Sequence, residues 1–284
     1  MDKHKEKKDV LNKYDQSFYS EQMDGSIQSA RFIVPFIITL FPDIKSVVDL
    51  GCGVGTWLAE FKRNGVGEVL GYDGGNPPAA YLQINEDEYQ KADFSSEMPV
   101  QIKVDLAMSL EVAEHLDEKY AQQFIRNLCG HSDLILFSAA IPGQGGTHHV
   151  NERWPSYWAN LFNQEGFKIY DVIRPNFWYD KRIEFWYRQN MFLVINNDRK
   201  DLIAQIEPHI ADVSHQMDIV HPEMYMQTRN QLDAIAKRRS IKLAHLIYYL
   251  PHKLIGILWR IAHKILPRSM AQKLSNAKRA LSGH

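Results

Sequence analysis

Apolar and polar positions change period repeatedly along the first two thirds of the chain, and each change marks an element. Ser46-Val47-Val48-Asp49-Leu50 is a short β-branched run that breaks into Gly51-Cys52-Gly53-Val54-Gly55 and resumes as Trp57-Leu58-Ala59-Glu60-Phe61. That order predicts a buried strand, a tight turn and a helix start. Glu68 to Asp73 predicts a second strand, Val104 to Leu110 a fourth and Leu134 to Ser138 a fifth. Trp154 to Glu165 predicts a helix stopped by Gly166, Phe167 to Val172 a sixth strand, Ile183 to Gln189 a short helix and Met191 to Ile195 a seventh strand. Upstream, Ser26 to Phe41 is strongly apolar with Pro35 in its middle, which predicts a helix interrupted or started near the proline. Strands and helices alternating over short connections give an α/β class with a mostly parallel sheet between helix layers.

At 284 residues the chain holds one large domain plus an appendage. Its net charge of −1 hides an asymmetry, because eleven Lys/Arg and no Asp/Glu fall between Ala234 and His284. An acidic body therefore ends in a basic tail, which suits an anionic partner. The two cysteines, Cys52 and Cys129, form no disulfide framework, and the chain opens on charged rather than apolar residues. Together these predict a reducing, cytoplasmic location. No apolar run reaches bilayer-spanning length.

The glycine turn carries the first chemistry. Glycines let backbone approach a ligand closely, and the helix start that follows supplies free N–H groups. A dinucleotide turn would be Gly-x-Gly-x-x-Gly, whereas here the third glycine comes one residue early and Asp49 stands just ahead of the first. That acid would repel a pyrophosphate and tolerate a cationic ligand. The stretch Asp49-Leu50-Gly51-Cys52-Gly53-Val54-Gly55 resembles the first motif of class I S-adenosylmethionine (SAM)-dependent methyltransferases. The resemblance covers about residues 26–197 and implies a Rossmann-like seven-stranded sheet whose last strand is antiparallel. Asp73, at a strand end about 20 residues after the turn, is placed to accept hydrogen bonds from both ribose hydroxyls. By the resemblance, Asp93 binds the adenine amino group while Phe94 packs on the ring, and Tyr14, Phe18 and Tyr19 form part of a lid. Gly51, Cys52, Gly53, Gly55, Gly74 and Ser109 complete the cofactor set.

A second constellation follows the fourth strand as Glu111-x-x-Glu114-His115. If these residues open a helix, positions i, i+3 and i+4 bring two carboxylates and an imidazole together at the sheet edge. A divalent cation would relieve the repulsion between the two acids. Downstream, Gly143-Gln144-Gly145-Gly146-Thr147-His148-His149-Val150-Asn151 offers a fourth ligand. In an extended segment adjacent side chains point to opposite sides, so His149 is taken as the ligand and His148 as a base facing substrate. The metal set is then Glu111, Glu114, His115 and His149, for Mg²⁺, Mn²⁺ or Fe²⁺; the catalytic pair is His148 and Glu111. The pattern is similar to the metal-dependent branch of the family, which includes small-RNA 2′-O-methyltransferases and ubiquinone-pathway O-methyltransferases. The segment from Pro142 to Trp158 looks closest to bacterial methyltransferases of surface-polysaccharide biosynthesis. That resemblance implies a saccharide or lipid-linked glycan as acceptor. An RNA acceptor is the alternative, against which the acidic body argues, and a non-catalytic SAM-binding subunit is a third reading.

Three regions follow: a lead-in or lid at 1–25, the methyltransferase-like domain at 26–200 and a helical extension at 201–284. Residues 227–245 are expected to be helical. Residues 252–266 form a basic amphipathic pattern with Trp259 at its boundary, which suits peripheral contact with the anionic inner face of a membrane. Docking on the domain or on a homodimer partner is the other reading of that pattern.

Overall fold

The computed structural model describes residues 16–98, 103–210 and 217–249. It divides into two compact units, Met1–Met226 and Gln227–His284. The first unit is built on a seven-stranded sheet in the order β3-β2-β1-β4-β5-β7-β6. Its strands are β1 (Ser46–Leu50), β2 (Glu68–Asp73), β3 (Tyr89–Lys91), β4 (Leu106–Leu110), β5 (Leu134–Ser138), β6 (Phe167–Tyr170) and β7 (Phe192–Asn196). Neighbours are parallel from β3 to β5, and β7 runs antiparallel to both β5 and β6. The helices are α1 (Gln16–Leu40), α2 (Thr56–Arg63), α3 (Ala121–His131), α4 (Pro155–Gln164), α5 (Ile173–Phe177), α6 (Phe185–Asn190), α7 (Lys200–Ile206) and α8 (Pro222–Tyr249).

Because strand side chains alternate between faces, the sheet separates two cores. Val47, Leu134, Leu136 and Leu193 join Ile33, Ile37 and Leu58 on one face. Val48, Ile135, Phe137 and Val194 join Phe124, Trp158 and Phe162 on the other. Near-continuous apolar strands are what a sheet covered on both faces requires. From β1 the chain builds outward to β2 and β3, then returns to the other side of β1 as β4. The carboxyl ends of β1 and β4 therefore meet at a reversal of strand order, where α/β sheets open a crevice.

The seven-stranded α/β sheet agrees with the sequence expectation, antiparallel last strand included. One helix does not. α1 runs uninterrupted through Pro35, with Thr39 Oγ1 donating to the Pro35 carbonyl at 2.8 Å. Proline forfeits one helical hydrogen bond, yet the residue whose carbonyl is freed, Arg31, is exposed, so water can serve it. Ile33, Val34 and Ile37 around it are fully buried, and that burial outweighs the break. β4 and β6 are shorter than the apolar runs suggested, because Val104 N–H turns to the His131 carbonyl and Val172 N–H closes a turn onto Tyr170.

The helix expected at 227–245 lies within α8. Residues 252–266 and Tyr14 lie outside the described residues, as do the side chains of Phe18 and Tyr19. Among the described residues no helix is long and apolar enough to cross a membrane.

Pro35→Ala restores the missing N–H and is expected to raise the urea midpoint, a gain of about 1 kcal/mol or more. A lower midpoint would mean that the pyrrolidine ring contributes more through packing than the lost bond costs.

Candidate active site

The turn after β1 is shaped by three left-handed glycines, Gly51 (φ 95°), Gly53 (φ 55°) and Gly55 (φ 81°). Gly51 and Cys52 N–H groups both donate to the Tyr72 carbonyl at 2.7 and 3.0 Å, tying the turn to β2. A methyl group on Gly51 would lie 2.3 Å from Val112, and one on Gly55 2.7 Å from Ile84, so these two glycines serve internal packing. Above Gly53 nothing lies within 4 Å, which leaves backbone bare for a ligand. Asp73 Oδ2 accepts from Gly53 N–H at 2.8 Å and Oδ1 from Gly75 N–H at 2.6 Å, so one carboxylate clamps both turns. Asp49 is 3% exposed with an unpartnered Oδ1. Burial and then Asp73 push its carboxyl well above the usual range, an environment that a cationic group would relieve. Burial likewise pushes the Cys52 thiol up.

The remaining members of the expected cofactor set are placed differently. Ser109 is fully buried and donates to the Leu50 carbonyl at 2.7 Å, pinning β4 to β1 rather than facing the crevice. Phe94 is buried edge-on against Phe124 with ring centroids 5.4 Å apart, and its ring belongs to the core. Asp93 Oδ1 accepts from Ser95 N–H at 2.9 Å in a local turn. Gly74 has a positionally undemanding site, its nearest neighbour to an added methyl being the Ala92 carbonyl at 3.6 Å.

The acid and imidazole cluster forms without the expected helix. Glu111 is left-handed (φ 56°), and only Ala113–His115 makes a single 3₁₀ turn, so the spacing i, i+3, i+4 does not define one helical face. Donor atoms of Glu114, His115 and His149 nevertheless lie within 4.8 Å of one another. Glu114 is fully buried, and no side chain hydrogen-bonds either carboxylate oxygen; only the main-chain N–H groups of Glu114 and Ala140 approach it. Burial, then Glu111, pushes its carboxyl well above the usual range. Partial burial, then His149, brings the His115 imidazole at the rim down to about 4. His149 Nδ1 lies 3.0 Å from Glu152 Oε1, and the Glu152 oxygens are fixed by the N–H groups of Gly143 and Gly145 at 2.7 and 2.8 Å. An ionised carboxylate only accepts, so Nδ1 is the donor to Glu152 and Nε2 is the nitrogen turned toward the cluster. Nε2 faces Glu114 Oε1 at 4.0 Å, beyond direct hydrogen-bond distance. The donor set fits a divalent cation, and Glu152 supplies the orienting bond that a ligating histidine needs.

His149, and not His148, thus joins the cluster, although through a turn with His148 left-handed (φ 63°) instead of an extended strand. His148 is exposed beside it. Glu111 stands outside the close trio, its carboxylate taking Gln144 Nε2 at 2.8 Å and Asn190 Nδ2 at 3.1 and 3.3 Å. Sequence reasoning missed Glu152, Gln144 and Asn190. The signals were present as a His-x-x-Glu spacing and as the polar triplet Arg188-Gln189-Asn190 set directly before an apolar strand.

Residues 19–140 match a family model described as a methyltransferase domain, a span that ends just after β5 and contains the glycine turn and Glu114. The fold is similar to that of magnesium protoporphyrin IX methyltransferase from Synechocystis PCC 6803, at 15% identity, 67% of this chain, 99% of that one and a TM-score of 0.50. It is also similar to the sugar N-methyltransferase KedS8 from Streptoalloteichus sp ATCC 53650, at 12% identity, 63% of this chain, 91% of that one and a TM-score of 0.50. At these identities the likeness carries the fold. No curated protein matches the chain.

A carboxyl raised by folding gives stability below its unfolded value, and that stability is lost as pH rises through the folded one. In chelator, Glu114→Gln should therefore raise the thermal midpoint at pH 8, with the gain shrinking toward pH 4.5. An unchanged or lower midpoint at pH 8 would contradict the burial of an unpaired acid.

Proposed function

We propose that the chain is a SAM-dependent O-methyltransferase assisted by a divalent cation and acting on a sugar hydroxyl. The observation that carries the reading is the fully buried Glu114 side chain, with no hydrogen-bonding side chain on either oxygen and with His115 and His149 donor atoms within 4.8 Å. A buried charge without a partner is costly unless a cation completes it. Glu114, His115 and His149 would hold that cation, which when bound would supply Lewis acidity to lower the pKa of an acceptor hydroxyl. The bare backbone at Gly53 and the acids Asp49 and Asp73 support binding of SAM, whose sulfonium and ammonium charges suit an acidic crevice and whose ribose hydroxyls suit Asp73.

His148, exposed on the turn beside the cluster, takes the acceptor proton as the hydroxyl oxygen attacks the methyl carbon. Glu111 accepts a hydrogen bond from a neighbouring hydroxyl of the same sugar and so fixes its orientation. The acids Asp49, Asp73, Glu111, Glu114 and Glu152 around the crevice favour a neutral acceptor group over an anionic one. The basic segment at 252–266 suits an acceptor presented at an anionic membrane surface, as a lipid-linked glycan would be.

Calorimetry with S-adenosylhomocysteine, then methyl transfer from SAM to a panel of free and lipid-linked saccharides with and without EDTA, tests this. Binding is expected, with turnover that falls at least about a hundredfold in EDTA and in Glu114→Ala, His115→Ala. No heat with the cofactor product would overturn SAM dependence, and full turnover in EDTA would overturn the metal.

A further inference from the structure

The amides that hold Glu111 continue into the fold as a chain with a fixed direction. It starts at the backbone N–H of His221, a group that can only donate, which gives a 2.6 Å hydrogen bond to Gln189 Oε1. With its oxygen committed, Gln189 presents Nε2 to Asn190 Oδ1 at 3.0 Å. Asn190 then directs Nδ2 to Gln144 Oε1 at 2.8 Å and to the two Glu111 oxygens. Gln144, accepting at its own oxygen, gives Nε2 to Glu111 Oε2. Each amide is oriented by the one before it, so the relay turns N–H groups, and no carbonyl oxygen, toward the carboxylate, which the Ser138 hydroxyl also reaches.

Both ends are fixed. Gln189 and Asn190 are 0% and 2% exposed at the end of α6. His221 Nε2 lies 2.9 Å from the Trp178 carbonyl, while Arg188 donates to that same carbonyl at 2.9 Å and to Glu223 at 3.0 Å. Reversing any one amide would turn a carbonyl oxygen toward Glu111, and inside a fold such a mismatch is costly.

Resting on the reading that Glu111 faces the methyl acceptor, we infer that Gln189 and Asn190 are positioning residues: a one-way amide relay from the His221 N–H holds Glu111 as a hydrogen-bond acceptor for an O–H or N–H group of the substrate. Neither Gln189 nor His221 needs to touch substrate. Segment 217–226 is thereby part of what sets the acceptor side of the site.

The test is a double-variant cycle on the full chain, read by urea denaturation, with no acceptor or cofactor present. In Gln189→Glu the new carboxylate still accepts from His221 but cannot donate to Asn190. Asn190 must then turn, presenting Oδ1 to Glu111, and the midpoint should fall. Adding Glu111→Gln supplies an amide donor for the turned Asn190 and should recover about half or more of the loss, whereas sites with no shared partner add. Adding Glu111→Ala, which removes the charge without supplying a donor, should recover less. Additive losses, or equal recovery by Glu111→Gln and Glu111→Ala, would overturn the relay. If Gln189→Glu does not fold, a folded chain recovered by Glu111→Gln alone supports it, and failure of both pairs overturns it. The readout is independent of turnover, so it stands whatever the methyl-transfer assay returns.

Discussion

A carboxylate buried without a side-chain partner is the constraint around which the candidate site is arranged. Glu114 sits at full burial with no side-chain hydrogen bond to either oxygen, while its own main-chain carbonyl accepts the N–H groups of Val150 and Asn151 at 2.9 and 3.0 Å. The same residue therefore pins the loop that brings His149 over its side chain. Glu152, held by two glycine N–H groups of that loop, turns the imidazole so that Nε2 faces inward. Even Gly146 follows from this, since a methyl group there would lie 2.2 Å from His149 Nε2.

The glycine turn obeys the same economy on the other side of the crevice. Asp73 satisfies two backbone N–H groups and keeps a second lone pair on each oxygen, so one side chain can hold the turn and still serve a ligand. Strand order does the rest: because β4 returns beside β1, the turn after β1 and the acids after β4 open onto one edge of the sheet. The two non-glycine residues with left-handed backbone among those described, Glu111 and His148, both lie on loops at this edge. Strain of that kind collects where a side chain must be aimed rather than merely packed.

Much of the fold was legible because it depends on local pattern. Apolar runs such as Val47-Val48 and Leu134-Ile135-Leu136-Phe137 announce strands buried on both faces, and the glycine turn announces its own bend. Pro35 misled because propensity was outweighed by tertiary burial of Ile33 and Ile37. In the site, Glu114, His115 and His149 were legible as residue types, while their geometry was not: a helix was expected where a left-handed residue and a 3₁₀ turn occur. Ser109 and Phe94, expected at a ligand, also carry internal contacts, to the Leu50 carbonyl and the Phe124 ring, that a motif position does not announce. Asn190 stood out only as a polar residue before an apolar strand, and its pairing with Glu111, 79 positions away, was not readable.

Anomalous diffraction at the manganese edge, from crystals grown with Mn²⁺, tests the central claim most directly. The account predicts one strong peak bounded by the Glu114 carboxylate, the His115 ring and His149 Nε2. A map without density between those side chains, with Glu114 protonated or bonded to water, would contradict it.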